Sequence, residues 1–334
     1  MYGDGITEEI NTLYNVGKYT TIRKLGEGGE GCVYLARDEE MNRLVALKRI
    51  GESAAARVAG EGTRIIKEAD YLQKLRHPMF PVIYDLIWDN ACYIVMEYIQ
   101  GITLRECMER NGCVGEEKAC VWAKQLLDVL QYLHTRKPPV IYRDLKPDNI
   151  MVCPDGHLRL VDFGAAGRRS YGTKEGEGTE MAATPGYGAP EQFGGRTSPV
   201  KERRKDWRSV SVRAGADAGD NAGETAGENG VRRKVYADER SDIYAFGKVL
   251  YYMLTGADPA KPPYTSLAVR DYQPLVRERM ERLIRKCIRE EPQSRYQMIE
   301  EVRTELNKCG RRGVRLRRRD FIRAVEKRVW LTEQ

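Results

Sequence analysis

Apolar residues along this chain follow two rhythms. Alternation with a period near two marks Tyr19–Leu25, Val33–Arg37 and Leu44–Ile50, and these segments predict β-strands. A helical rhythm marks Thr63–Arg76, where Ile65, Ala69, Leu72 and Leu75 recur on one face. It also marks Glu116–Thr135, where Ala119, Trp122, Leu126, Leu130 and Leu133 form a longer stripe. Further along, Ile150–Cys153 and His157–Val161 predict two short strands joined by the turn Pro154-Asp155-Gly156.

At 334 residues the chain has room for one large domain or two lobes, each with its own core. No run of 18 apolar residues occurs, and the first 20 residues carry Asp4, Glu8 and Glu9 without a hydrophobic block. Neither a membrane span nor a signal peptide is therefore expected. The eight cysteines are scattered without a Cys-x-x-Cys pair and there are only three histidines. Zinc is not expected, and reduced thiols in a cytoplasm are the simplest reading. Of the net charge of +7, nearly all lies beyond Cys309, where nine Arg or Lys face three acidic residues. The rest is close to neutral, so nucleic acid is not an expected partner.

The chemistry concentrates in Tyr142-Arg-Asp-Leu-Lys-Pro-Asp-Asn149 and Val161-Asp-Phe-Gly164. Two carboxylates, an amide and a lysine suit deprotonating a hydroxyl, holding a divalent cation and steadying a moving phosphate. The hairpin between the motifs is expected to bring Asn149 and Asp162 to face each other across a gap the size of one ion. Upstream, Gly26-Glu-Gly28-Gly-Glu-Gly31-Cys-Val33 lies between two predicted strands rather than opening a helix. By itself such a triplet is weak, because flexible hairpin turns look the same. On the next strand Ala46 and Lys48 share a face, two residues apart.

Taken together these motifs resemble the eukaryotic-type (Hanks) Ser/Thr protein kinases, in wording closest to the bacterial ones. The resemblance covers about Tyr19 to Lys308. It implies an α+β bilobal fold, a five-stranded antiparallel sheet plus a helix C over a mostly helical lobe, with ATP in the cleft. Residues 19–99 would form the small lobe and hinge, 100–310 the large lobe, 1–18 a leader and 311–334 a basic tail. It also implies that Leu25, Gly26, Glu27, Gly28, Gly31 and Val33 cradle ATP, Ala46 roofs the adenine, and Lys48 reaches the α- and β-phosphates. Glu68 would hold Lys48; Glu61 is the rival carboxylate, but it precedes Gly62 and falls outside the helix. Met96 would be the gatekeeper, the Glu97 carbonyl and Ile99 N–H would meet the adenine edge, and Met151 completes the nucleotide set.

In the same resemblance Asp144 orients the substrate hydroxyl and accepts its proton, and Lys146 contacts the γ-phosphate. Asn149 and Asp162 would bind Mg²⁺ or Mn²⁺. Lys146 and Thr184-Pro-Gly-Tyr-Gly-Ala-Pro-Glu191 match the Ser/Thr branch, with Thr184 lining the substrate groove. Structural roles fall to Glu191, paired with buried Arg295, and to Asp242, which would anchor the catalytic loop. Tyr142 stands where histidine is commoner, a packing position; Trp122 reads as core and His134 as structural. The spacings support the match: 20 residues from Lys48 to Glu68, 18 from Asp144 to Asp162 and 29 from Asp162 to Glu191. The implied function is transfer of the γ-phosphate of ATP to Ser/Thr hydroxyls of proteins, the chain itself included. The alternative is a pseudokinase or nucleotide-binding scaffold, which would normally lack one of Lys48, Asp144 or Asp162.

The chain departs from the family between Glu191 and Asp242, where 50 residues replace a short link. Residues from about 194 to 236 repeat Ala-Gly every four positions at 214, 218, 222 and 226, with acids between and basic clusters at either end. Such a composition is expected to stay unfolded; a regulatory version would be autophosphorylated at Ser209 or Ser211. Arg143 beside Asp144 suggests control by phosphorylation of Thr179 or Thr173. In the tail, Phe321, Val325 and Val329 suggest a short amphipathic helix, for which packing on the large lobe is expected over contact with a membrane surface.

Overall fold

The computed structural model describes residues 14–28, 31–50, 74–88, 91–162, 167–168, 183–193, 237–262 and 266–309. Most of the helix expected at 63–76, with Glu68, lies outside the described residues. So do Thr173, Thr179, the low-complexity segment with Ser209 and Ser211, and the basic tail. Contacts divide the chain into two units, residues 1–101 with 159–164 and residues 102–158 with 165–334. Arg159–Gly164, within the range expected for the large lobe, thus groups with the smaller unit.

The smaller unit is an antiparallel sheet of β1 (Asn15–Val16), β2 (Tyr19–Gly28), β3 (Gly31–Asp38), β4 (Arg43–Ile50), β5 (Ile83–Trp88) and β6 (Cys92–Glu97). The order is β1-β2-β3-β4-β6-β5. Five long strands are present as expected, and two-residue β1 extends the sheet to six. It pairs Asn15 with Thr20 and Val16 with Tyr19, so part of the expected leader belongs to the sheet. Alternation assigns the two faces of β4. Val45 and Leu47 are fully buried in a cluster with Val16, Tyr19, Ala36, Ala91, Tyr93 and Val95. Ala46 and Lys48 take the opposite face. There Lys48 lies beside Val33 of β3 and Ala46 beside Met96 of β6. Gly26 of β2 is in turn opposite Val33. One face thus collects Val33, Ala46, Lys48 and Met96.

The larger unit is mostly helical: α1 (Leu104–Asn111), α2 (Glu116–His134), α3 (Glu239–Thr255), α4 (Val269–Tyr272), α5 (Glu278–Cys287) and α6 (Ile299–Cys309). Short strands β7 (Ile102–Thr103) and β9 (Ile150–Val152) pair antiparallel, as do β8 (Val140–Ile141) and β11 (Gly167–Arg168). Strand β10 (Leu158–Leu160) carries the chain from the larger unit into the smaller one. The stripe on α2 is core: Ala119, Leu126, Leu130 and Leu133 are fully buried and Trp122 nearly so. Trp122 also donates its indole N–H to the Gly156 carbonyl at 3.1 Å, and the Gln125 side chain accepts the Leu158 N–H at 2.9 Å. The helix therefore holds the turn before β10. Helix α3 is buried along most of its length, and α5 packs against it at Gly247, where a Cβ would stand 2.6 Å from that of Cys287.

One buried ion pair ties this unit together. Arg295 donates Nη1 and Nη2 to the two oxygens of Glu191 at 2.7 and 2.8 Å. Its remaining donors reach the carbonyls of Arg289, Arg240 and Glu290, and Ser241 Oγ adds a hydrogen bond to Glu191. All five guanidinium N–H groups are satisfied, which a desolvated charge requires. Replacing Arg295 with Leu strands the Glu191 carboxylate in the interior. The substitution should cost about 3–5 kcal/mol of stability, read as a lower denaturation midpoint in urea.

Candidate active site

In the smaller unit the Lys48 ammonium donates to Asp162 Oδ1 at 2.6 Å. Lys48 is set by its register in β4. Asp162 is set by what precedes it: the Leu160 N–H meets the Met79 carbonyl at 2.7 Å, and Arg159 meets the Phe80 carbonyl at 3.0 Å and the Glu97 carboxylate at 2.6 Å. Glu97 also accepts the Val82 N–H, so its side chain is structural. Met96 and Ile99 are buried, and Leu25 is half-buried. The glycine segment closes as a hairpin end in which Glu27 pairs with Cys32 and Gly28 with Gly31. Gly31 has φ of +126°, and a Cβ there would lie 2.0 Å from the Arg49 carbonyl oxygen, so only glycine fits.

The larger unit contributes a second group around Asp144. Its Oδ1 accepts the Thr184 hydroxyl at 2.7 Å, while Oδ2 meets the Lys146 ammonium at 2.7 Å and the Asn149 amide at 3.0 Å. Lys146 also donates to Thr184 Oγ1 at 2.9 Å. The Asn149 amide reaches the Asp144 carbonyl as well, at 2.9 Å, which closes the loop on itself. Asp144, Lys146, Asn149 and Thr184 are thus one hydrogen-bonded cluster. Met151 follows in β9, opposite Thr103.

The backbone under this cluster hangs from Asp242. That fully buried carboxylate accepts the N–H of Tyr142 and of Arg143, each at 2.8 Å, and meets His134 Nε2 at 2.8 Å. It lies in the first turn of α3, where the helix dipole favours a negative charge. Arg143 takes a φ of +70°, costly for a non-glycine residue, and is held there from both sides. Asp242 takes its N–H, and Gln192 Nε2 donates to its carbonyl at 2.9 Å. Tyr142 is buried.

Three residues here were not singled out from the sequence: Arg105, Asp258 and Tyr187. Arg105 forms a bidentate pair with Asp148, at 2.6 and 2.9 Å, and donates Nη1 to Asp258 at 2.7 Å. The other oxygen of Asp258 accepts the Tyr187 hydroxyl at 2.9 Å and the Ala260 N–H at 3.0 Å. Burial pushes the Tyr187 phenol up, and the Asp258 charge adds to it, so the hydroxyl stays protonated and donates. For Arg105 burial works against the charge, but Asp148 outweighs it and the guanidinium is held more firmly than usual.

A family model described as the protein kinase domain matches residues 19–213, more than half of the chain. The chain belongs to the protein kinase family. The kinase is 29% identical to the serine/threonine-protein kinase PrkC of Bacillus subtilis, over 87% of this chain and 40% of that protein. It is also 29% identical to the serine/threonine-protein kinase PknD of Chlamydia trachomatis, over 86% of this chain and 31% of that one. The kinase spans about two fifths or less of the length of these curated relatives. In fold it is similar to the kinase domain of Mycobacterium tuberculosis PknI, with a TM-score of 0.59 and 21% identity over 89% of this chain and 97% of that one. No helix among the described residues is long and apolar enough to cross a membrane.

Members of this family use ATP and a divalent metal. Among the described residues no three His, Cys, Asp or Glu side chains gather as a metal site. Asp162 in the smaller unit carries a carboxylate and Asn149 in the larger unit an amide oxygen, donor types that each suit a hard divalent ion.

Acid should weaken the network around Asp258. Burial raises its carboxyl, but the Ala260 N–H, Arg105 and Tyr187 outweigh that and hold it below 3.8. A carboxylate depressed on folding stabilises fully above the unfolded value, and that contribution is lost as pH falls through the folded one. Between about pH 5 and pH 3 an Asp258→Asn variant should therefore lose less stability than the parent, as urea titrations at each pH will measure.

Proposed function

We propose that this chain transfers the γ-phosphoryl group of Mg²⁺-ATP to serine and threonine hydroxyls of proteins. The observation that carries this reading is the contact of Thr184 with the catalytic loop. An alcohol oxygen there donates to Asp144 and accepts from Lys146, at 2.7 and 2.9 Å. A substrate hydroxyl needs the same two partners: a carboxylate to orient its O–H and take its proton, and a cation beside the phosphate it attacks. In this reading Lys146 would offset charge as the phosphoryl group moves, and Asp144 would take the released proton.

The remaining roles are distributed by unit. In the smaller unit Lys48 would hold the α- and β-phosphates, and the face carrying Val33, Ala46 and Met96 would accept the adenine. Asp162, now paired with Lys48, would turn to the metal, with Asn149 of the larger unit as the second donor. Bound Mg²⁺ would neutralise the phosphate oxygens. The chain's own contribution is positioning and fixed charge, which suits phosphoryl transfer. Glu68 as the partner of Lys48, Arg143 as reader of a phosphate on Thr179 or Thr173, and phosphorylation of Ser209 or Ser211 belong to the same proposal. So does action in a reducing, cytoplasmic compartment, which the scattered cysteines without a Cys-x-x-Cys pair support.

The test is transfer of radiolabelled γ-phosphate to dephosphorylated casein. Asp144→Asn, which keeps shape but cannot take the proton, and Lys48→Met should each lose at least about 100-fold in kcat/KM. Retained activity in Asp144→Asn would overturn the reading.

A further inference from the structure

We propose that Arg105 is a positioning residue for phosphoryl transfer, holding the catalytic loop and the Thr184 segment in one register through Asp148 and Asp258. The proposal rests on the kinase reading above. It concerns how the Asp144 cluster keeps its shape.

Arg105 is held before it touches the loop. It lies in the first turn of α1, whose start is closed by a capping box: the Thr103 hydroxyl accepts the Glu106 N–H at 3.1 Å, and Glu106 accepts the Thr103 N–H at 2.9 Å. From that rigid base the guanidinium reaches two carboxylates on different segments. Asp148 sits within the catalytic loop between Lys146 and Asn149, and the bidentate geometry fixes its angle as well as its distance. Asp258 lies after the C-terminus of α3 and passes the constraint to the Tyr187 hydroxyl.

Tyr187 closes the path. Its own N–H and that of Gly188 both return to the Thr184 carbonyl, at 3.1 and 2.8 Å, in a tight turn. That turn lies directly against the Asp258 loop, since a Cβ on Gly186 would stand 2.6 Å from the backbone of Ala260. The contacts therefore make a closed circuit: Asp144 to Thr184, along the turn to Tyr187, then Asp258, Arg105 and Asp148, and back through Asn149 to Asp144. Arg105 is the one cation in the circuit that bridges two acids.

The Asp258 end of this link is buried and adds to stability, whereas the Asp148 end controls geometry. The Asp148 side chain is 43% exposed, and a pair with so open a partner adds little to folding. A catalytic constellation, by contrast, is sensitive to displacements of about an ångström. Loss of Arg105 leaves Asp148 free to swing and leaves Asp258 with no cation opposite Tyr187. Asp144 and Thr184 then lose their fixed separation.

The experiment compares the full chain with Arg105→Ala, Arg105→Lys, Tyr187→Phe and the double variant Arg105→Ala/Tyr187→Phe. It measures kcat, KM for ATP and KM for casein, well below every unfolding midpoint, with Asp144→Asn as the inactive reference. Arg105→Ala should lower kcat by about 10- to 100-fold, with KM for ATP changed by less than about twofold. Arg105→Lys should recover part of the loss, because one ammonium can meet only one of the two acids at a time. The double variant should fall no further than Arg105→Ala, since both substitutions open the same circuit. A kcat unchanged in Arg105→Ala overturns the proposal, as does a double variant whose losses simply multiply. Should Arg105→Ala fail to fold, Tyr187→Phe decides, and parental kcat in that variant overturns the proposal. A parent chain no more active than Asp144→Asn would instead bring down the kinase reading itself, and the proposal with it.

Discussion

The hydrogen-bonded cluster around Asp144 depends on one desolvated carboxylate. Asp242 has no access to water, and it accepts two consecutive backbone N–H groups, from Tyr142 and Arg143, while a ring nitrogen of His134 closes its remaining side. Those N–H groups are aligned only because Arg143 occupies the left-handed region. The strained backbone and the buried carboxylate hold each other, and together they aim the next residue, Asp144. This is an arrangement in which neither half would persist without the other.

The larger unit repeats the device at two other points. Glu191 and Arg295 form a fully satisfied buried pair, and Arg105 joins Asp148 and Asp258. In each case a guanidinium joins segments far apart in sequence, and its fork geometry sets direction as well as distance. The smaller unit works differently. Its candidate site residues are placed by strand register: Lys48 opposite Val33, and Ala46 opposite Met96. A sheet can do this because side chains on one face recur every second residue and cannot drift independently.

This difference explains what was legible beforehand. Strand alternation put Ala46 and Lys48 on one face from the sequence alone, and motif order marked Asp144, Lys146, Asn149 and Thr184, which share one cluster, together with Asp162, which pairs with Lys48. Glu191 and Arg295 carried a motif at each end, and they form a pair. Arg105 had no such mark: it is one arginine on an amphipathic helix, and its partners lie 43 and 153 residues away. His134 is similar, since its contact with Asp242 spans 108 residues. Strand β1 was missed because two residues are too few to show a period. Local pattern reports elements and motifs, whereas contacts closed by a single long side chain leave no periodic trace.

The knot around Glu191 has an engineering consequence. The chain enters the low-complexity stretch just after Phe193 and re-enters the described fold at Ala237. On the near side Glu191 is bound by Arg295, and on the far side Ser241 and the Arg240 carbonyl are bound to that same pair. Both ends of the stretch are thus stapled to a single point, independently of what runs between them. A cut anywhere in residues 194–236 would therefore leave both flanks, Glu191 on one side and Arg240-Ser241 on the other, tied to Arg295 and to each other.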